Sequence, residues 1–337
     1  MSTNTIKAAV IGAGAWGTAL ARILAQNGHT VVMWSHDESL ANEINQLHEN
    51  RQLFAGVMLP ENLSATIDLE AACQSASLIL MVVASKFYAD MIQKITPLMA
   101  PEAILISATK GLDPETKKRT TQIMEDMLPP GLRERTGILS GPNIAREIAA
   151  GKPAATVCAS RNQYTAEKAQ AWFSQPSFRV YTNTDVVGTE LGGTLKNIIA
   201  IAAGIIDGLE LGDNARSALM VRAMVEIIRF GSRFGARPET FYGLAGMGDL
   251  ITTCSSVMSR NHFVGENLAK GKTLKQILSE MTAVAEGVET TRLVHAIARQ
   301  EGLDMPVTAQ VHAILFEDKP VKQAILDLMT RELKSEH

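Results

Sequence analysis

Lys7-Ala8-Ala9-Val10-Ile11-Gly12-Ala13-Gly14-Ala15-Trp16-Gly17-Thr18-Ala19-Leu20, at the start of a 337-residue chain, decides the fold. Ala8 to Ile11 is an apolar run that reads as a buried strand, and the spacing of Leu20, Ile23 and Leu24 predicts a helix that ends at Asn27 and Gly28. Between them lies Gly-x-Gly-x-x-Gly. In a strand, loop and helix of this order Gly12 permits the tight bend, Gly14 lets backbone approach a pyrophosphate, and Gly17 lets the helix pack on the strand, with unpaired helical N–H groups facing the anion. Thr30 to Met33 supplies the second strand, so the stretch is read as a dinucleotide site.

The end of that second strand bears on which dinucleotide is held. Sites selecting NAD usually carry an acid there for the ribose 2′-hydroxyl. Here Trp34, Ser35 and His36 come first, and Ser35 and His36 can donate hydrogen bonds to a 2′-phosphate, which favours NADP. Asp37 lies close enough to keep NAD open, although it also suits the cap of the next helix.

Composition narrows the function classes. With 46% hydrophobic residues the chain is long enough for two cores. A net charge of −3 without a Lys/Arg block gives no footprint for nucleic acid or an anionic membrane surface, so a small-molecule partner is expected. Cys73, Cys158 and Cys254 are odd in number and far apart, which indicates neither a disulfide framework nor a zinc site and points to reducing cytoplasm. The start of the chain lacks the basic-then-apolar pattern of a signal peptide, and the longest apolar run, Ile198 to Ile206, is about half a membrane span, so no membrane insertion is expected.

Along the chain, strand and helix patterns alternate. Leu78 to Val83 and Ile104 to Ser107 are continuously apolar, as strands buried on both faces are. Pro142 is read as the start of a short helix reaching Ala150, and Ala155 to Ala159 and Phe178 to Tyr181 as further strands. Strand signals then stop. The fold class is an α/β dinucleotide-binding domain of Rossmann type, residues 1–188, followed by an all-α domain, residues 189–337.

Thr189 to Leu209 reads as a buried helix, apolar almost all round except for Lys196. The neighbours of Lys196 at helical spacing are Thr189, Gly192, Gly193, Ala200, Ala203 and Gly204, a stripe of small residues that a flat ligand or another helix can approach closely. A lysine so placed can exchange the proton of an alcohol while hydride passes to or from a nicotinamide. Desolvation makes it a base, whereas a neighbouring carboxylate keeps it charged, able to polarise a carbonyl and give up a proton. Sequence leaves both open.

Other polar groups gather further on. Gly243 to Asp249 reads as a flexible loop bearing one acid, followed by Thr252 and Thr253, and Ser259 as the cap of a helix carrying Arg260, Asn261 and His262. A helix start with an Arg fork is suited to phosphate. Lys110 follows a buried strand at the edge where open α/β sheets bind ligands, Asn143 follows Gly141 and Pro142, and Glu286 sits where it can reach a cofactor or cap a helix. His29, His48, His262, His295, His312 and His337 show no metal-ligand spacing, so neither metal nor side-chain nucleophile is expected.

Six segments together resemble the bacterial NAD(P)-dependent glycerol-3-phosphate dehydrogenase family: Val10 to Leu20, Ala108-Thr109-Lys110-Gly111-Leu112, Ser140-Gly141-Pro142, Gly192-Gly193-Thr194-Leu195-Lys196-Asn197, Gly246-Met247-Gly248-Asp249-Leu250 and Ser259-Arg260-Asn261. The resemblance covers nearly the whole chain. It implies a helical second domain like that of 6-phosphogluconate dehydrogenase, a homodimer, and reversible reduction of dihydroxyacetone phosphate to sn-glycerol 3-phosphate, which feeds glycerophospholipid synthesis. By motif it implies Lys196 as proton donor or acceptor, with Lys110, Asn197, Asp249 and Thr253 around the reacting oxygens. Arg260 and Asn261 would hold phosphate, Arg260 also meeting the cofactor, and Gly141, Asn143 and Ser259 would complete the substrate pocket. Ala15, Trp16, His36, Ala145, Val284 and Glu286 would line the cofactor. Asn143-Ile144 departs from the family pattern, where a hydroxyl residue and Phe are common, though an amide can still serve a hydroxyl or phosphate.

Two rival functions fit parts of this pattern. A hydroxy-acid dehydrogenase of the same architecture needs a cation for a carboxylate but not the phosphate-suited start at Ser259-Arg260-Asn261. A non-enzymatic NADP-binding redox sensor has no need of a buried Lys196.

Overall fold

The strands predicted from unbroken apolar runs lie side by side in one eight-stranded sheet of order β3-β2-β1-β4-β5-β6-β7-β8. The computed structural model describes residues 5–281, 285–333 and 335. The strands are β1 (Lys7–Ile11), β2 (Thr30–Trp34), β3 (Leu63–Thr66), β4 (Leu78–Met81), β5 (Ile104–Ser107), β6 (Thr136–Ser140), β7 (Ala154–Ala159) and β8 (Phe178–Asn183). Neighbours are parallel except β6 and β7. The six strands from β3 to β6 follow the doubly wound order, with its switch between β1 and β4.

Period-two alternation explains why the central strands read as unbroken apolar runs. Ala8, Val10, Leu78, Leu80, Ile104 and Ile106 face one core, which includes Leu20, Ile23 and Leu24 of the helix Ala15–Gln26. Ala9, Ile11, Ile79, Met81 and Leu105 face the other, against Met91, Ile92 and Ile95 of the helix Tyr88–Ile95. With both faces covered, no polar register survives in these strands.

The chain divides into two compact units, Met1–Glu190 and Leu191–His337. The helix Val186–Gly208, here the lysine helix, starts three residues earlier than its apolar pattern suggested. Asp185 accounts for this, because its carboxylate accepts the Gly188 N–H at 2.9 Å and so caps the first turn. The lysine helix is long and apolar enough to cross a membrane, but 83% of its most apolar stretch is buried inside the protein, as in the core helix of a globular domain.

In the second unit the small residues bring backbones together. A Cβ on Gly204 would overlap the carbonyl oxygen of His262, and one on Gly265 would overlap that of Ile201. The small-residue stripe is therefore covered by another helix, Arg260–Ala269, at Gly204 rather than left for a flat ligand there. In the same unit a buried carboxylate, Glu226, caps the helix Pro306–Phe316 by accepting the N–H groups of Val307 at 2.6 Å and Thr308 at 3.1 Å.

Candidate functional site

In the first unit, all of β1 to β6 end at one edge of the sheet, and the glycine loop lies there. Gly12 has φ +120°, and a Cβ on it would stand 2.7 Å from the Val82 carbonyl oxygen. A Cβ on Gly17 would overlap the Gly12 carbonyl, so helix and strand meet backbone to backbone. Gly14 differs: its Cβ would face open space, and it stands at the start of the helix Ala15–Gln26 with no side chain capping the first turn. Unpaired N–H groups beside an open glycine form a cradle for an anion. Trp16 adds a buried indole N–H that meets no acceptor among the described residues. These features fit a dinucleotide.

At the end of β2, Asp37 is engaged as a helix cap, its Oδ1 accepting the N–H groups of Ser39 at 2.9 Å and Leu40 at 3.2 Å. The Ser35 hydroxyl oxygen accepts the Asp37 N–H at 3.0 Å, which leaves its proton to donate, and His36 is exposed.

The same edge carries Lys110, Gly141 and Asn143. Lys110 follows β5 and directs its Nζ at the Gly141 carbonyl, 3.4 Å away. Gly141 has no room for a side chain, since a Cβ would lie 2.9 Å from the Thr156 Cα. Asn143 donates to the Ala155 carbonyl at 3.0 Å, while its Oδ1 is buried without a partner among the described residues. Pro142 does not begin the helix. The helix is Ala145–Ala149, capped at Ile144, because Asn143 is tied back to β7 first. Ala145 is half-buried against the core of the unit.

Sequence reading missed the network behind this edge. The buried Glu190 carboxylate accepts from Arg119 Nη1 at 2.8 Å, Thr120 Oγ1 at 2.7 Å, the Thr121 N–H at 3.1 Å and the Thr121 hydroxyl. Ser107, the last residue of β5, donates to Thr120 at 3.1 Å. The partners lie some seventy residues apart in sequence, with no local pattern to announce them.

In the second unit Lys196 is 6% exposed, and Asp249 and Thr253 hold it. Its Nζ pairs with the Asp249 carboxylate and donates to Thr253 Oγ1 at 2.7 Å. Asp249 is 1% exposed, so a buried positive charge faces a buried negative one. The Thr253 hydroxyl in turn donates to the Asp249 carbonyl at 2.7 Å, one helical turn back. Of the two protonation states open from sequence, the adjacent carboxylate favours the ammonium. Cys254, next in the chain, is inert because burial pushes its thiol up to about 12.

The segment before Asp249 is not a flexible loop. Leu244–Gly248 is one turn of π-helix leading into the helix Asp249–Ser255. Packing requires glycine at Gly246, where a Cβ would overlap the Phe241 carbonyl, and at Gly192 of the lysine helix, where one would overlap the Ala245 carbonyl of this turn. Asp249 follows this turn directly as the first residue of the next helix and there meets Lys196.

Asn197 and Asn261 are joined, Asn261 Nδ2 donating to Asn197 Oδ1 at 3.0 Å, while Asn261 Oδ1 accepts the Gly287 N–H at 2.9 Å. Asn261 thereby links three helices and fixes which way the Asn197 amide nitrogen points. Ser259 caps the helix Arg260–Ala269 by accepting the His262 N–H at 3.3 Å, with Arg260 exposed on its first turn. Glu286 is the first residue of the helix Glu286–Gln300. Val284 lies outside the described residues. His262, scattered in sequence, is paired with Asp207 on the lysine helix at 2.7 Å, and Arg216 holds the same carboxylate through two contacts of 3.1 Å. Among the described residues no group of three or more His, Cys, Asp or Glu side chains is arranged to hold a metal ion.

The first unit thus offers backbone donors to a dinucleotide, and the second a compensated ammonium beside a hydroxyl, a helix start and amide groups. Comparison with known proteins bears on both. Residues 7–166 match the N-terminal part of NAD-dependent glycerol-3-phosphate dehydrogenase and residues 185–326 its C-terminal part. The chain is 44% identical over 330 residues to glycerol-3-phosphate dehydrogenase [NAD(P)+] of Geobacter sp. (strain M21), covering 98% of each chain. It is 45% identical to the protein of the same name from Bacillus cereus (strain B4264), covering 98% of this chain and 97% of that one. The crystal structure of glycerol-3-phosphate dehydrogenase from Coxiella burnetii superposes with a TM-score of 0.91 at 38% identity, covering 97% of this chain and 99% of that one.

Proposed function

The chain belongs to the NAD-dependent glycerol-3-phosphate dehydrogenase family, and from that premise we propose how its two units divide the reaction. It is an NAD(P)-dependent oxidoreductase that reduces dihydroxyacetone phosphate to glycerol 3-phosphate. The first unit holds the dinucleotide at Gly12 to Gly17, where the uncapped helix start receives the pyrophosphate and the Trp16 indole N–H finds an acceptor. When bound, the reduced nicotinamide supplies hydride to the substrate carbonyl carbon.

The second unit supplies the proton. Lys196, kept charged by Asp249, polarises the carbonyl oxygen and gives it a proton as negative charge develops there. Thr253 fixes the direction of its Nζ, and Asn197, oriented by Asn261, donates to the same reacting end of the substrate. Arg260 and the helix start at Ser259 receive the phosphate. In the reverse direction Lys196 takes the proton back. Lys110, at the sheet edge of the first unit with Gly141 and Asn143, contributes a further cation to substrate binding and to the nicotinamide end of the cofactor. Ala145 and Glu286 complete the cofactor lining. The buried triad of Lys196, Asp249 and Thr253 carries this reading, because a buried ion pair adds little net stability to a fold and here holds a proton donor in a fixed place.

NADP is the preferred cofactor in this proposal. Asp37 is turned to its helix cap, so the ribose end meets the Ser35 hydroxyl and the His36 imidazole, both able to donate to a 2′-phosphate. The product feeds glycerophospholipid synthesis, the active form is a homodimer, and the free, buried thiols suit a reducing cytoplasm. The test is oxidation of NADPH with dihydroxyacetone phosphate, run beside NADH and beside unphosphorylated dihydroxyacetone. Faster oxidation with NADPH that depends on the phosphate supports the assignment. Oxidation indifferent to the phosphate removes the role given to Arg260 and Ser259, and preference for NADH removes the role given to Ser35 and His36.

A further inference from the structure

We infer that Asn50 is a positioning residue for the dinucleotide, holding the glycine loop so that the Gly14 N–H faces the pyrophosphate; this rests on the proposed use of that loop. Asn50 follows the helix Glu38–Leu47 in sequence yet is buried behind the loop, at 1% exposure. Its Nδ2 donates to the Ala13 carbonyl at 3.3 Å and to Thr18 Oγ1 at 3.0 Å. The Thr18 hydroxyl donates to the same Ala13 carbonyl, also at 3.3 Å. Two donors, one of them steadied by the other, therefore grip a single carbonyl in the middle of Gly12 to Gly17.

Peptide geometry turns that grip into a direction. In a trans peptide the C=O of one residue and the N–H of the next point to opposite sides. Drawing the Ala13 carbonyl toward Asn50 and Thr18 aims the Gly14 N–H the other way, and Gly14 is exposed, with open space where a Cβ would be. The residue type follows. An aspartate would set acceptors against the carbonyl and a negative charge near the pyrophosphate, and an aliphatic side chain would let the peptide turn. Packing alone does not call for an amide here, because Asn50 Oδ1 is buried without a donor among the described residues, an arrangement that weakens the fold. Its Nδ2 contacts supply the reason for it.

Nucleotide binding by the whole protein tests this, with NADPH, NADH and adenosine, which has no phosphate, titrated into wild-type, Asn50→Leu and Thr18→Val. Asn50→Leu weakens NADPH and NADH by roughly tenfold or more, the scale of one hydrogen bond to a charged group. Adenosine binding and turnover at saturating cofactor are unchanged, and Thr18→Val has a smaller effect of the same kind. Thr18→Val carries the test should Asn50→Leu fail to fold. Equal weakening of all three ligands means that Asn50 only supports the fold, and no weakening of any means that it does not act on the loop; either overturns the inference. A Gly14→Ala protein that binds NADPH as wild-type does overturns the reading of the loop as well, which separates the two failures.

Discussion

The glycine loop of the first unit and the lysine cluster of the second are built in opposite ways. The loop presents backbone, and the three glycines and the helix that use it fall within a run of residues short enough to be read as one motif. The cluster presents side chains, with Lys196 meeting groups 53 and 57 residues away. A backbone site tolerates most side chains but not a Cβ in the wrong place. A side-chain site tolerates its neighbours but not the loss of a charge. The difference predicts how each breaks.

The largest effect is expected at Gly17, where Gly17→Ala forces a Cβ into the Gly12 carbonyl and lowers folding stability by at least about 3 kcal/mol, read by thermal unfolding. A Gly17→Ala protein as stable as wild-type would show that the loop relaxes and is not a rigid cradle. At the second site the break is electrostatic. Asp249→Asn leaves a buried ammonium without its countercharge, so stability falls by about 3 kcal/mol and reduction slows about a hundredfold at neutral pH, with partial recovery in more acidic buffer. Equal loss at every pH would make Asp249 a scaffold rather than a charge partner.

Gly14→Ala sharpens the comparison because its Cβ meets nothing in the protein. Stability is kept or rises slightly, while the KM for NADPH rises about tenfold as the methyl group occupies the anion's side of the loop. The smallest effect on activity concerns a carboxylate of the second unit that serves structure alone. Burial raises Glu226 from its ordinary value of 4.5 to about 7, against the hydrogen bonds from Val307 and Thr308. The folded protein therefore binds this proton more readily than the unfolded chain, and the contribution of Glu226 to stability declines as pH rises from about 4.5 to about 7 and is level above that. Melting temperatures measured across that window should show the slope in wild-type and a flatter profile in Glu226→Gln, with activity at neutral pH little changed.

What could be read from sequence follows the same division. The order of strands and helices was legible because each central strand is apolar on both faces and the helix Glu38–Leu47 opens on its own local cap, Asp37. Lys196 was legible as an exception, a charge in an apolar helix. Its pairing with Asp249 was not, because Asp249 follows a turn that looks like a glycine loop in sequence until the packing of Gly246 against Phe241 is seen. Pro142 misled for a related reason: a proline can start a helix, but here the Asn143 contact to Ala155 holds the chain extended for two more residues. Nor did any spacing announce the Glu190 network, the pairing of Asp207 with His262, or the reach of Asn50 to Ala13. Each joins elements that only the tertiary fold brings together.

In the proposed reaction the second unit's cation, not the dinucleotide site, delivers the proton. Single-turnover reduction of dihydroxyacetone phosphate by Lys196→Met, with NADPH bound beforehand, tests it most directly. NADPH then binds as in wild-type, and NADPH oxidation slows by at least the roughly hundredfold expected for a general acid. Oxidation at the wild-type rate would contradict it and return the proton to some other group or to water.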